Sequence, residues 1–461
     1  MADAHDYARE HAVAFREALK ALLRIPSVST LAEHADDVRR AALWLADDMR
    51  RAGLAAELME SEGYLPLVYG EWNGAGASAP TVLIYAHYDV QPAHREDGWE
   101  TNPFEPVERD GKIYARGAVD SKSHVIAQLK AAEALLASDA KPPVNLKFLF
   151  EGEEESNSEH ITAFVTHNPA LLKADVCVIC DGSMPDVDQP VLVYGLRGII
   201  SMELEVTGPT QDLHSGHYGG NVHNPIQALA AILAQLHRPD GSVAVPGFYE
   251  GVCPLDAEER ATLSEALPWV EAEWAQVTGA PQPWGEPAFT LLERVGVRPA
   301  LEFNGIAGGF YGEGFKTVLP ASARAKISCR LVPDQQPEHI FALIQDCVRT
   351  LTPPTVRAQL RRVESGAPGI LLDRKTIAMQ AAASAYEKGW GRRPIFLREG
   401  GSVPVVATLQ RELEASLVMM PFGYKGCRAH GPNEHVYIDM FHKGIDTAIH
   451  FIEELSARLR R

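Results

Sequence analysis

Residues 81–92 read Thr81-Val-Leu-Ile-Tyr-Ala-His87-Tyr-Asp89-Val-Gln-Pro92. The run from Thr81 to Ala86 is short, apolar and rich in β-branched and aromatic side chains, the pattern of a buried strand. A polar cluster headed by His87 and Asp89 follows it directly. The same pairing of strand and cluster recurs downstream. Val144-Asn-Leu-Lys-Phe-Leu-Phe150 leads into Glu151-Gly-Glu-Glu-Glu-Ser156, and Asp175-Val-Cys-Val-Ile-Cys180 leads into Asp181-Gly182. Ser121 to Ala137 has helical apolar spacing through Val125, Ile126, Leu129, Ala132, Leu135 and Leu136. Asp120 stands where its N-cap belongs. Strands alternating with helices predict an α/β domain with a mostly parallel central sheet flanked by helices. In such a sheet the carboxyl ends of the strands share one edge, where ligands bind. His87, the glutamates and Asp181 are therefore expected to converge.

Outward from this core, Tyr7 to Leu23 reads as a helix stopped by Pro26, and Asp36 to Ala52 as a second that ends at Gly53. From Gly198 the texture changes. Ile200 to Val206 and Ala321 to Leu331 alternate as half-exposed strands, and Pro225 to His237 and Gln336 to Leu351 are helical. After Asp373 the α/β texture returns, with strands at Pro394–Arg398 and Ser416–Met420 and a last helix from Met440 to Arg460. A chain of 461 residues exceeds one compact core. The expected organisation is one α/β domain, residues 1–197 and 369–461, interrupted by an inserted α+β domain, 198–368.

The formal net charge of −18 argues against nucleic acid or an anionic membrane as partner, since both would repel the chain. No apolar run approaches a bilayer span, and the N-terminus lacks a basic-then-apolar leader pattern. The expected location is cytoplasmic. Six cysteines are too sparse for a disulfide framework, and Cys177 and Cys180 read as small core residues of a strand.

Residue by residue, ordinary readings stay open. His87 can be a core histidine, Asp120 a helix cap, Asp181 a turn residue, and residues 153–155 a solvated loop. His430 and His214 can be surface residues, and Arg330 lies on the polar side of its strand. Taken together, His87, Asp120, the glutamates, Asp181 and His430 form a His/Asp/Glu set without cysteine. That set suits zinc, or cobalt and manganese. Five such ligands exceed one catalytic zinc but fit two metals if one carboxylate bridges them. A metal pair polarises a carbonyl and acidifies a water, and a further carboxylate must then take the proton.

The ordered segments 86–92, Gly117-Ala-Val-Asp-Ser-Lys122, 151–156, Asp212-Leu-His-Ser-Gly216, Arg330-Leu-Val-Pro333, Arg398-Glu-Gly-Gly-Ser-Val-Pro404 and His430-Gly-Pro-Asn-Glu434 cover most of the chain. In that order they resemble the co-catalytic di-zinc peptidase family of carnosinase, carboxypeptidase G, aminoacylase and succinyl-diaminopimelate desuccinylase, and most of all the carnosinase-type dipeptidases. The resemblance implies an enzyme that cuts the amide bond of dipeptides with a free C-terminal carboxylate. It makes Asp120 the bridging carboxylate between two divalent metal ions, with His87 and Asp181 on one metal and Glu155 and His430 on the other. Glu154 becomes the general base and Asp89 the carboxylate that orients His87. The inserted domain becomes a lid and dimerisation domain, whose His214 steadies the oxyanion in a partner subunit's site. Arg330 and the Gly401-Ser402 turn become the clamp on the substrate carboxylate. Two departures stand out. Asn157 replaces a usual glycine, which alters the turn's backbone freedom, and Ser121 replaces a common Asp, which removes a carboxylate near the metals. An N-acyl-amino-acid deacylase or desuccinylase of the same chemistry remains an alternative, as does a non-catalytic metal-binding scaffold.

Overall fold

The computed structural model describes residues 3–156, 158–363 and 366–459, so Asn157 lies outside the described residues. Two compact units result. Unit 1 comprises Met1–Tyr194, Leu372–Leu397 and Thr408–Arg461; unit 2 comprises Gly195–Leu371 and Arg398–Ala407. The division expected from sequence, at 197/198 and 368/369, lies within a few residues of these limits. It placed Arg398–Ala407 in the first domain, whereas that segment clusters with unit 2 and takes Gly401 and Ser402 with it.

Unit 1 is built on strands β1 (Ala55–Met59), β2 (Leu67–Trp72), β3 (Thr81–His87), β4 (Asn145–Glu151), β5 (Val176–Ile179), β6 (Val191–Leu196), β7 (Ile395–Glu399) and β8 (Ser416–Met419). Their order is β1-β2-β4-β3-β5-β8-β6, and β7 pairs with β6. The four central strands β4, β3, β5 and β8 run parallel, with antiparallel neighbours on both sides. This is why β3, β4 and β5 are buried almost throughout: a central parallel strand is covered on both faces.

Helix Lys122–Ala137 is buried on nearly every side and belongs to the core rather than to the surface. Its cap residue is Ser121, which makes no side-chain capping bond, so Asp120 does not serve as the N-cap and its carboxylate is available elsewhere. The expected helix Tyr7–Leu23 is two helices, Ala4–Glu10 and Ala12–Leu23, meeting at His11. His11 has φ −96° and ψ 9°. Its ring Nδ1, 2.9 Å from the Tyr7 carbonyl, shares that acceptor with its own backbone N–H.

His124, in the buried helix, accepts the Phe422 backbone N–H at Nε2, 2.9 Å away, which requires a neutral ring. Burial pushes its pKa down to about 4. The folded value lies below the unfolded one, so this contribution is fully present above about pH 6.5 and is lost as pH falls toward 4. The expected loss across that window is about 3 kcal/mol more for the wild-type chain than for His124→Gln. Denaturant titrations of both at pH 4 and pH 7 measure it, and parallel losses would exclude His124 as the source.

Unit 2 carries an antiparallel sheet in the order Ala300–Gly308, Ser322–Leu331, Gly198–Thr207, Arg357–Arg362. Burial alternates strictly along Gly198–Thr207. Ile200, Met202, Leu204 and Val206 join Leu229 and Ile232 of helix Pro225–Ala234 and Ile340 and Ile344 of helix Pro337–Leu351 in one core. Among the described residues, no helix is long and apolar enough to cross a membrane.

Candidate metal centre

Strand register fixes the first elements of the site. His87 ends β3 opposite Glu151, which ends β4, and Asp181 lies two residues beyond the end of β5. All three strands are parallel, so these ends share one edge. The loop after β8, the fourth parallel strand, brings His430. His430 itself has φ 60°, a left-handed conformation that costs a non-glycine residue about 1–3 kcal/mol.

Asp120 sits between the two histidines. Its Oδ1 is 3.1 Å from His87 Nε2 and its Oδ2 is 2.9 Å from His430 Nε2. Glu155 Oε1 lies 3.1 Å from the same His430 nitrogen. One ligand atom from each of His87, Asp120 and Asp181 falls within 4.8 Å of the others, and so do those of Asp120, Glu155 and His430. The two groups overlap at Asp120.

The three consecutive glutamates separate by orientation. Glu153 turns away and accepts N–H bonds from Leu65 (2.8 Å) and His160 (3.2 Å). Glu155 joins His430, with Gln91 Nε2 on its other oxygen at 2.8 Å. Glu154 belongs to neither ligand group. Burial, together with the charges of Asp181, Glu151 and Glu155 and against the pull of His87, pushes its carboxyl up to about 9.

Asp89 is fully buried and ties these parts together. Its carboxylate lies 3.3 Å from His87 Nδ1 and accepts the backbone N–H groups of Glu154 (3.2 Å) and Glu155 (3.0 Å) and the Ser29 hydroxyl (2.6 Å). Sequence reasoning gave no role to Glu434 and Arg116. Buried Glu434 accepts N–H bonds from Gly117 (3.1 Å), Val119 (2.9 Å) and Asp120 (3.1 Å), and its partner Arg116, at 2.6 Å, also donates to the His430 carbonyl at 3.0 Å. This pair pins the Asp120 turn to the His430 loop. The one sequence signal was Glu434 closing the stretch His430-Gly-Pro-Asn-Glu434.

The donor set fits divalent cations. Burial, with the Asp120 charge and against His87, pushes Asp181 up to about 6, as expected where carboxylates are crowded together with too little positive charge. Glu155 Oε1 is buried without a well-formed hydrogen bond, although His430 is near. Two histidines and three carboxylates, with no cysteine, match borderline cations.

The remaining expected residues belong to unit 2. His214 is exposed at the start of helix Ser215–Tyr218, its Nδ1 accepting the Gly216 N–H at 3.0 Å. Arg330 Nη1 donates to Ser402 Oγ at 2.8 Å, and that hydroxyl donates to the Arg197 carbonyl at 2.5 Å. Gly401, beside Ser402, has open space where a Cβ would stand.

Residues 83–454 match the sequence pattern of peptidase family M20/M25/M40. The chain belongs to this family. Among its M20/M25/M40 relatives, the Cys-Gly metallodipeptidase of Schizosaccharomyces pombe is 33% identical over 455 residues, 95% of each chain. The β-Ala-His dipeptidase of Homo sapiens is 32% identical over 378 residues, 80% of this chain and 74% of the relative. Of solved structures, the di-peptidase Dug1p of Saccharomyces cerevisiae superposes with a TM-score of 0.82 at 28% identity, covering 98% of both chains. The M20 family metallo-carboxypeptidase of Sulfolobus solfataricus superposes with a TM-score of 0.83 at 28% identity, covering 96% of this chain and 99% of that one.

Proposed function

We propose that this M20/M25/M40 chain is a metal-dependent dipeptidase that cleaves the amide bond of dipeptides carrying a free C-terminal carboxylate. The observation that carries the reading is the geometry of Asp120, which offers one oxygen to each of two overlapping His/carboxylate groups. Its relatives named as dipeptidases match 95% and 80% of the chain.

In this proposal His87, Asp120 and Asp181 hold one divalent ion, and Asp120, Glu155 and His430 the other, with zinc the first choice. When bound, such ions polarise a carbonyl and make a water more acidic. Glu154 takes the proton of the attacking water and returns it to the departing amine. Asp89 keeps the His87 ring in one tautomer, with Nε2 facing Asp120. Arg330, Ser402 and the Gly401 backbone hold the substrate carboxylate by a charge-assisted fork. The proposal extends to a cytoplasmic homodimer formed through unit 2, in which His214 steadies the oxyanion of the partner subunit's reaction.

Turnover of the chain supplied with zinc, cobalt or manganese tests the reading. A dipeptide panel with free and amidated C-termini is set against N-acyl amino acids. Hydrolysis of free dipeptides, with amidated ones poor, is expected. Preference for N-acyl amino acids would favour the deacylase alternative, and cleavage of nothing would favour a non-catalytic scaffold.

A further inference from the structure

A second cluster of metal-ligating side chains lies between helix Ala4–Glu10 and helix Ile438–Leu459, and it shares no residue with the centre described above. Helix Ile438–Leu459 carries Asp446, His450 and Glu453 at spacings i, i+4 and i+7, which places them on one face. Helix Ala4–Glu10 lays His5 against that face. His5 Nδ1 contacts Asp446 Oδ1, and His5 Nε2 is 3.4 Å from Glu453 Oε2. His450 Nδ1 is 3.2 Å from the same Glu453 oxygen, and its Nε2 is 3.5 Å from Asp446 Oδ2. The two imidazole rings are 4.0 Å apart between centroids. One ligand atom from each of His5, His450 and Glu453 lies within 4.8 Å of the other two.

We propose that His5, His450 and Glu453, with Asp446 beside them, bind one divalent transition-metal ion that clasps the N-terminal helix to the C-terminal helix. The ordinary reading is an ion-pair network between helices. Lysine or arginine would serve that purpose, whereas here the groups in direct contact with the Asp446 and Glu453 carboxylates are the His5 and His450 imidazoles, with Arg9 acting on Asp446 through its charge alone; imidazole is the side chain most often used to bind metals. Two imidazole nitrogens and the Glu453 carboxylate, without sulfur, suit zinc, copper(II) or nickel(II), with Asp446 on the opposite ring nitrogens of both histidines. Three of the four groups are held in fixed spacing by one helix, which is anchored in the core by Phe441, Ile445, Ile449 and Ile452. Such a rigid support is what a site needs to select a coordination geometry. The His5 and His450 side chains are 11% and 18% exposed, and Asp446 and Glu453 35% and 44%, so an ion has a path in from solvent. A cavity of about 290 Å³ bordered by His5, Arg9, Lys443 and Asp446 adjoins the cluster on its Asp446 side.

Equilibrium dialysis of the full chain against zinc, followed by metal counting, tests the site. The wild-type chain should retain one more equivalent per chain than His450→Ala or His5→Gln, while dipeptide turnover stays unchanged in both. An Asp120→Ala chain should keep this equivalent while losing those of the Asp120 centre, so failure of the Asp120 reading and failure of this site give different counts. Circular dichroism checks folding, and His5→Gln, on the other helix, serves if His450→Ala unfolds. Equal metal counts in the wild-type and the folded variants would overturn the proposal.

Discussion

A Glu154→Gln chain is expected to keep its fold and its metal while losing about 10²–10⁴-fold in turnover, the usual cost of removing a general base. Glutamine has nearly the same shape, and the Glu154 N–H bond to Asp89 is made by the backbone, so the loop is retained. The missing element is proton acceptance. At about 1.4 kcal/mol per tenfold, the loss corresponds to roughly 3–5 kcal/mol of transition-state stabilisation. Glu155→Gln is the informative contrast: its carboxylate stands in a ligand group, so metal retention should suffer along with rate. Steady-state kinetics with metal content measured on the same samples distinguish the two. Near-normal turnover of a metal-loaded Glu154→Gln chain would remove Glu154 from the reaction.

The second large effect is expected at a residue with no place in either ligand group. Glu434→Ala should destabilise unit 1 by about 3–5 kcal/mol, because it leaves the buried Arg116 charge without its carboxylate. Three backbone N–H groups, of Gly117, Val119 and Asp120, lose their acceptor at the same time. These groups form the turn that presents Asp120, so weaker metal retention should accompany the lower stability. Denaturant midpoints and dialysis against metal read the two effects separately. An unchanged midpoint would mean that the turn is held by something other than Glu434.

These two residues also mark how far the sequence could be read. The central strands were legible because burial on both faces leaves an uninterrupted apolar run, as in β3 and β5. His87 and Asp181 were legible because each follows such a run closely. The edge strand Ala55–Met59 was missed, since it is short, half-exposed and without alternation. The strand Ala300–Gly308 was missed because a register shift between Phe303 and Gly305 breaks its period of two. The order of the three glutamates rests on Glu153 turning toward Leu65 and His160, contacts between distant segments that no local pattern carries. Asp120 and His430 are brought together by Arg116 and Glu434 across more than three hundred residues of chain. The sequence grouped them by donor chemistry, and the family resemblance gave each its role.

The sheet order has one further consequence, for how the chain is made. β5 and β6 are close in sequence, yet β8, from residues 416–419, lies between them. While the ribosome is still making the middle of the protein, those two strands have no neighbour on their facing edges, and such bare edges invite pairing with other chains. β8, made more than two hundred residues after β6, fills the gap, and the loop after it delivers His430. The gathering of His87, Asp120 and His430 thus waits until β8 has been made, and a product truncated before β8 would be both unable to complete it and prone to aggregate.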